Sequence, residues 1–434
     1  MANIGGLTPI GKHIKEFPRT EALFEDVSND DVAQVIRMWQ LNPVAAAIDI
    51  FGFKYGLPGH QSLALKLAWS VGDCIQVWSR GAGKSRTYNT DSIILTREFG
   101  YVDLPTIFPN LDFTRDEHWI DLEQPIHMWN GEGWQQIDKI LVQPQKRTKT
   151  VRTRMGYELT GSDVHLVQGL EDGEVVWKSF SNIRSGDRVL IGRNQDATWG
   201  DHEADLDECY LIGLLLGDGT INSSLYFTSA DQQLLKFVGQ YDCSKPKPDK
   251  RTTGTYTVRF SNEFYTYLRG KYGISHTLSY DKAIPQSILT SKQALRACLQ
   301  GLFDTDGGCD EKGVSFCTTS KRLAQQVHLA LSLFGIISKL REKKTKSKFG
   351  KAYIIEIRGI EACKFGERIG FRLSRKQNQL EQWCKERSYN SNIDTIPGAS
   401  DILIRLKSRY RFPLDGSNEL WRKYRGGIRN RKSL

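Results

Sequence analysis

Nowhere in this 434-residue chain does an apolar run approach the roughly 18 residues of a membrane span. The opening MANIGGLTPIGKHIKEF lacks the apolar centre of a signal peptide. Its eight cysteines are scattered and form no CxxC pair, which argues against a zinc knuckle and a disulfide framework. Core thiols are their expected role, Cys298 and Cys309 included. These absences favour a reducing cytoplasm and no membrane partner. What is present is length, charge and local pattern. A chain this long exceeds one compact core, so two to four domains are expected. The formal net charge of +10 suits a polyanionic partner without identifying one.

The run LPGHQSLALKLAWSVGDCIQVWSRGAGKS reads as loop, amphipathic helix, apolar strand and glycine-rich turn. Ile75 to Trp78 form the strand, and Gly81, Gly83, Lys84 and Ser85 carry the turn. Glycines let backbone N–H groups approach phosphates, Lys84 neutralises charge, and Ser85 is placed to ligate Mg²⁺. Trp78 stands where the usual pattern has its first glycine. With Gln61 upstream, residues 1–85 resemble the start of phage terminase large subunits, in which a similar glutamine recognises adenine. The resemblance implies ATP as a ligand of the spliced terminase alone. A P-loop should open directly into a helix, whereas RTYNTDSIILTREFGYVDLPTIF alternates as strands do. No acidic strand end of the Walker B type follows.

From Tyr88 to about Arg193 the chain is a series of short β-like runs between turns: IILT, PIHMW, WQQIDKILV, KTVRTR, YELT, HLVQ and DRVLIG. A compact all-β domain is expected. Three landmarks resemble the HINT fold of inteins. YNTDSIILTREFG is similar to the first block, the segment Tyr157 to His165 to the second, and Trp177 with the Ile183 to Val189 run to the W…L-x-x-GD-x-V closure. The chemistry implied is an acyl shift, in which a hydroxyl attacks the preceding carbonyl and an imidazole protonates the leaving amide nitrogen. By resemblance His165 is that imidazole and Ser162 the hydroxyl that holds it, while Asp187 reads as a turn residue. Matching SRTYNT to the family start makes Ser85 the first intein residue; an ungapped count from DSIILT gives Thr87. Ser85 is preferred, because it would cut the P-loop between Lys84 and its hydroxyl residue.

Further on, YLIGLLLGDGT (Tyr210 to Thr220) and LQGLFDTDGG (Leu299 to Gly308) are each an apolar helix ending in acid then glycine. Gly213, Gly217 and Gly301 provide small faces on which two helices can pack closely, bringing Asp218 and Asp306 together at their C-terminal ends. Two carboxylates beside negative dipole ends favour divalent cations, which activate water and stabilise the leaving oxygen of a phosphodiester. These motifs resemble the paired signatures of LAGLIDADG endonucleases, whose catalytic acid is the later of the two acids in each motif. Asp304 occupies the earlier acidic place in the second copy, and Leu216 in the first. The resemblance implies Asp218 and Asp306 as metal ligands for Mg²⁺ or another divalent cation, and a saddle of sheets over double-stranded DNA. It also implies Lys282, before Ile284-Pro285, as the assisting lysine, with Asp394 in the corresponding place of the second copy.

Strand-like segments follow each motif in parallel order, so an internal repeat of plan αββαββα is expected. Basic clusters at Lys245 to Arg251, Arg341 to Lys351, Arg372 to Lys376 and Arg405 to Arg411 suit phosphate contact, and Tyr256, Arg259, Tyr353 and Arg358 are candidates to face a groove. Past Pro397 the chain is basic and aromatic, and no His-Asn intein ending precedes Leu434. Either the gene is cut short or a second chain supplies the missing intein half; alone, this chain is not expected to complete splicing.

The expected architecture is multidomain α+β. It comprises a terminase ATPase fragment (1–85), an all-β HINT region (86–198), a duplicated LAGLIDADG endonuclease (199–400) and a basic tail (401–434). The expected function is a monomeric, site-specific homing endonuclease within an intein of a phage terminase large subunit. Its expected setting is the cytoplasm of an infected or prophage-bearing cell. A DNA-packaging ATPase fragment and a non-cutting DNA-binding module of the same fold are the competing readings.

Overall fold

The computed structural model describes residues 92–386, apart from short gaps at 110–117, 143–146, 172–173, 201–203, 251, 276–277 and 346–349. The glycine turn with Gly81, Gly83, Lys84 and Ser85, the alternative start at Thr87, Asp394 and the basic tail all lie outside the described residues. Among those described, no helix is long and apolar enough to cross a membrane.

The first part is β-rich. Strands β1 (Ile93–Thr96), β2 (Gly100–Asp103), β3 (His118–Trp129) and β4 (Trp134–Val142) make a sheet in the order β2-β1-β3-β4. A one-turn helix, α1 (Leu104–Ile107), follows β2, capped by Asp103 accepting from the Thr106 N–H. Two further hairpins pair β5 (Thr148–Arg152) with β6 (Glu158–Ser162), and β7 (Leu166–Glu171) with β8 (Glu174–Ser179). Most of the short runs predicted from alternation are these strands. DRVLIG is the exception: it makes only a bridge between Val189 and Gly169, and the chain there is otherwise irregular.

The second part is two copies of one plan. The first copy is α2 (Leu206–Asp218), β9 (Gly219–Ile221), β10 (Leu225–Ser229), α3 (Gln232–Val238), β11 (Lys247–Pro248), β12 (Tyr256–Arg259) and α4 (Asn262–Tyr272). After the short α5 (Gln286–Leu289) comes the second copy: α6 (Lys292–Asp306), β13 (Gly307–Asp310), β14 (Gly313–Thr318), α7 (Lys321–Leu333), β15 (Lys339–Lys344), β16 (Lys351–Arg358) and α8 (Ile360–Arg368). A last helix, α9 (Ser374–Glu386), closes it. The sheets run β11-β12-β10-β9 and β13-β14-β16-β15, the same order read in opposite directions. Both copies therefore have the αββαββα plan expected from the repeat.

Local chemistry explains the helix starts. Asp205 caps α2 by accepting from the Asp207 and Glu208 N–H groups, and Ser261, Ser291 and Ser320 cap α4, α6 and α7 in the same manner. In α2 every residue from Cys209 to Leu216 is buried, so this part of the helix is hydrophobic on all sides and sits at the centre rather than on a face. It packs lengthwise on α6. Gly213 lies against the Cys298 carbonyl and Gly301 against the Tyr210 carbonyl, so close that a Cβ at either position would overlap the partner backbone. At the fourth position of this seam stands threonine: Thr305 fills the space beside Gly217.

The β-rich part and the second repeat are tied by buried polar contacts. Arg193 donates to the fully buried Glu361 at 2.8 Å, and Tyr157 stacks on His328 at 4.1 Å between centroids. Trp199 is buried with its indole N–H on the Leu289 carbonyl. One finding runs against the sequence reading of the cysteines: Cys363 of α8 and Cys384 of α9 form a disulfide. Their separation of 21 residues carries no CxxC signal, and only helix packing brings them together.

A candidate active site at the paired helix ends

The chain leaves α2 and α6 through glycine because nothing larger fits. A Cβ at Gly219 would meet the Leu215 carbonyl at 2.2 Å, and one at Gly307 the Phe303 carbonyl at 2.6 Å. Each acid is thereby held on the last helical residue while the backbone turns straight into a strand. Asp218 and Asp306 end neighbouring helices, and the Asp218 charge is felt at Asp306. Both residues are exposed to solvent, although neighbouring protein still desolvates their carboxylates. Burial raises the proton affinity of Asp306, the Asp218 charge adds to it, and together they move its pKa up to about 6 despite two nearby lysines. Burial also raises that of Asp218, against the pull of Lys282 and Lys376.

Lys282 also lies at this junction. Its ammonium donates to the Gly217 carbonyl at 2.8 Å and the Gly219 carbonyl at 3.4 Å. Burial lowers its pKa, while Asp306 and Asp218 raise it.

Lys376 of α9, counted in the sequence only as the end of a surface basic cluster, is instead buried at this junction. Its ammonium donates to the carbonyls of Thr305 (3.4 Å) and Gly307 (2.6 Å), the positions that match Gly217 and Gly219, and also to those of Phe303 and Asp304. Lys376 thus mirrors Lys282 about the helix pair, so the place matched in sequence to Asp394 is filled by another residue. Burial brings its pKa down to about 8, with Asp304 opposing. The available signal was slight: Leu278-Ser279 stands three residues before Lys282, and Leu373-Ser374 two before Lys376.

Asp304, the extra acid of the second motif, does not join the pair. It is 2% exposed, and its Oδ2 accepts from the Tyr210 hydroxyl (2.6 Å) and from the Arg372 and Leu373 N–H groups. These bonds fasten the loop that leads into α9, and so bear on where Lys376 sits. The Arg372 guanidinium lies over the Tyr210 ring at 4.3 Å and reaches Asp207 of the first repeat.

His165 and Ser162 occupy a separate place in the β-rich part. Ser162 ends β6, His165 precedes β7, and the His165 N–H donates to the Ser162 carbonyl across the turn at 2.8 Å. Both are buried, and the His165 ring stands edge-on to Phe180. Asp187 is a turn residue as expected, its carboxylate accepting from the Arg184 N–H. Of the four candidate groove residues, strand alternation puts Arg259 and Arg358 on open sheet faces. Tyr256 and Tyr353 have the opposite parity, shared with buried Val258 and Ile355, and Tyr256 packs against the core.

Residues 293–370 match the LAGLIDADG-like domain family. Curated relatives include the replication factor C small subunits of Methanocaldococcus jannaschii, 28% identical over 62% of this chain and 15% of that protein, and of Thermococcus kodakarensis, 28% identical over 64% of this chain and 32% of that protein. A DNA gyrase subunit of Mycolicibacterium flavescens is 28% identical over 54% of this chain and 45% of its own length. The chain thus spans less than half of each of these relatives. Among solved structures, the homing endonuclease I-DmoI in complex with DNA and Ca is matched at 17% identity and a TM-score of 0.32, over 41% of this chain and 97% of that one.

Proposed function

We propose that this chain is a site-specific double-strand DNA endonuclease of the LAGLIDADG kind, borne by an intein that interrupts a phage terminase large subunit. The observation that carries the nuclease reading is the convergence of Asp218 and Asp306 at solvent-open helix ends, each flanked by a lysine tethered to helix-end carbonyls. Two carboxylates beside carbonyl oxygens are an all-oxygen donor set that fits a hard cation such as Mg²⁺, with water and phosphate oxygens completing its shell. Bound there, divalent cations would supply water activation and stabilise the leaving oxygen. Asp218 and Asp306 would hold the cations. Lys282 and Lys376 stand beside them to orient water and to offset charge developing on the phosphate. The open sheet faces, with Arg259, Arg341 and Arg358, lie toward the DNA grooves, and neighbouring lysines contact phosphates.

The match of residues 293–370 to the LAGLIDADG-like family supports this reading. The intein setting is supported differently. Relatives with unrelated names (replication factor C, DNA gyrase and RNA polymerase components) share identity with more than half of this chain, while it covers less than half of each of them. A segment common to unrelated hosts is what a mobile insertion produces. In that frame residues 1–85 are the terminase flank, 86–198 the N-terminal splicing half with His165 and Ser162 as acid and positioning hydroxyl, and 199–400 the endonuclease.

The test is incubation of the full chain with Mg²⁺ and a plasmid carrying an uninterrupted terminase gene with the same P-loop codons. Linearisation near those codons is expected. ATP hydrolysis without cutting would favour a packaging ATPase instead, and a gel shift without cutting a DNA-binding module.

A further inference from the structure

Building on the DNA-binding reading above, we propose that Arg341 and Arg358, clamped together by Glu356, read guanine in one half of the target, and that the first repeat has no equivalent reader. Along β16, Ile355 and Ile357 are fully buried, so Ile354, Glu356 and Arg358 point to the opposite, open face of the sheet. The register sets Glu356 opposite Ser315 of β14 and Lys339 of β15, with Arg341 two residues beyond Lys339 on the same face. Glu356 is only 9% exposed. Its Oε1 accepts from the Arg341 Nε and Nη2 at 2.9 Å and from the Arg358 Nη2 at 2.8 Å, and its Oε2 from the Arg358 Nε at 3.3 Å. The surface here dips into a cavity of about 200 Å³, lined also by Asp310, Lys312 and Ser315.

Chemistry decides what this cavity takes. One carboxylate holds both guanidiniums by their Nε sides, so each Nη1 edge is presented at a fixed angle with its ordering cost already met. Two bare arginines would suit a phosphate. Here Glu356 lies between them and Asp310 beside them, so an anion entering the cavity meets two carboxylates as well as three cations. A neutral ligand with two adjacent acceptors meets no such repulsion. In the major groove that pattern is guanine O6 and N7, which a guanidinium engages bidentately. The corresponding face of the first repeat presents Thr220, Tyr226, Thr228, Lys247, Thr257 and Arg259, with no carboxylate between its two cations. The Thr228 and Thr257 hydroxyls bond each other at 2.8 Å, and among the described residues the Arg259 guanidinium meets Ser224 (3.3 Å) and the Tyr226 ring (6.0 Å) rather than a carboxylate. Hydroxyls donate or accept equally well and discriminate little.

The experiment is selection of bound duplexes from a library with a randomised centre, using the full chain with Ca²⁺ in place of Mg²⁺. Guanine should be enriched at one or two neighbouring positions in one half-site only. Arg341→Lys keeps the charge but loses the fork, so it should reduce the enrichment roughly 5- to 150-fold with the melting temperature unchanged. Glu356→Gln removes the clamp's charge and should flatten the preference with retention unchanged or raised. A lost fold would instead lower retention and the melting temperature together, and in that event Arg341→Lys decides alone. Wild-type retention without a guanine position, or a guanine preference untouched by these variants, overturns this assignment alone. Retention of no duplex overturns the DNA-binding reading with it.

Discussion

Replacing Gly301 by alanine adds a single methyl group at the tightest point of the helix pair. That Cβ would lie 2.3 Å from the Tyr210 carbonyl oxygen, 2.7 Å from the Leu214 nitrogen and 2.9 Å from the Gly213 carbonyl carbon, all backbone atoms of α2. Real Cβ atoms essentially never approach within 3.0 Å, so relief needs a separation of about 0.7 Å between the helices at the least. No rotamer can absorb it, because the obstacle is backbone. Overpacking of this kind costs about 1–3 kcal/mol, and the better helix propensity of alanine returns at most about 1 kcal/mol. Melting should therefore fall by a few degrees. The functional effect is expected to be larger. A shift approaching 1 Å between Asp218 and Asp306 should slow cleavage on the order of 100-fold. Gly270→Ala is the control, since nothing lies within 4 Å of its added methyl, and it should melt no lower than wild type. Circular dichroism melts and single-turnover cleavage of the junction plasmid measure both effects. A Gly301→Ala protein that melts and cuts like wild type would refute the close helix contact.

Three other perturbations test separate parts of the site. Asp218→Asn should abolish cleavage and leave gel-shift affinity largely intact; retained cutting would remove Asp218 from the catalytic set. Lys376→Met should slow cleavage roughly 100-fold with little change in binding, as should Lys282→Met, and an effect confined to Lys282 would break the proposed equivalence of the two. His328 is buried with its Nδ1 on the Ser338 hydroxyl, and burial lowers its pKa from 6.5 to about 3. Its neutral form is the one the fold accepts, so its contribution is fully present above pH 6.5. It is lost as pH falls toward 3, by about 1.4 kcal/mol per unit once well below 6.5. Asp306, raised to about 6, has the opposite sign below that pH, so urea melts at pH 7 and 5 should compare wild type with His328→Phe. Equal pH dependence in both proteins would refute the role of His328.

The repeat was legible because local pattern and tertiary need coincide. An apolar run with glycines spaced for close packing, then acid and glycine, can only be a buried helix with a tight exit, and both copies carry it. The strands of the β-rich part were legible by alternation, but DRVLIG was misread because its periodicity has no partner strand beyond a single bridge at Val189.

Residues that act through contact left little trace. Lys376 sits on a polar helix 70 residues beyond Asp306, and only the docking of α9 brings its ammonium to the carbonyls that end α6. Asp304 looked like a second motif acid, yet it is buried under Tyr210 and the 372–373 backbone, a use decided by which atoms surround it. The clamp of Arg341, Glu356 and Arg358 depends on the register of β15 against β16, which no single strand encodes. The sequence alone determined the two motifs, their duplication and the acids that end them, since these follow from local helix chemistry and spacing. The three-dimensional packing decided which lysine, which buried carboxylate and which arginines share that space, because such proximity arises from residues far apart in the chain.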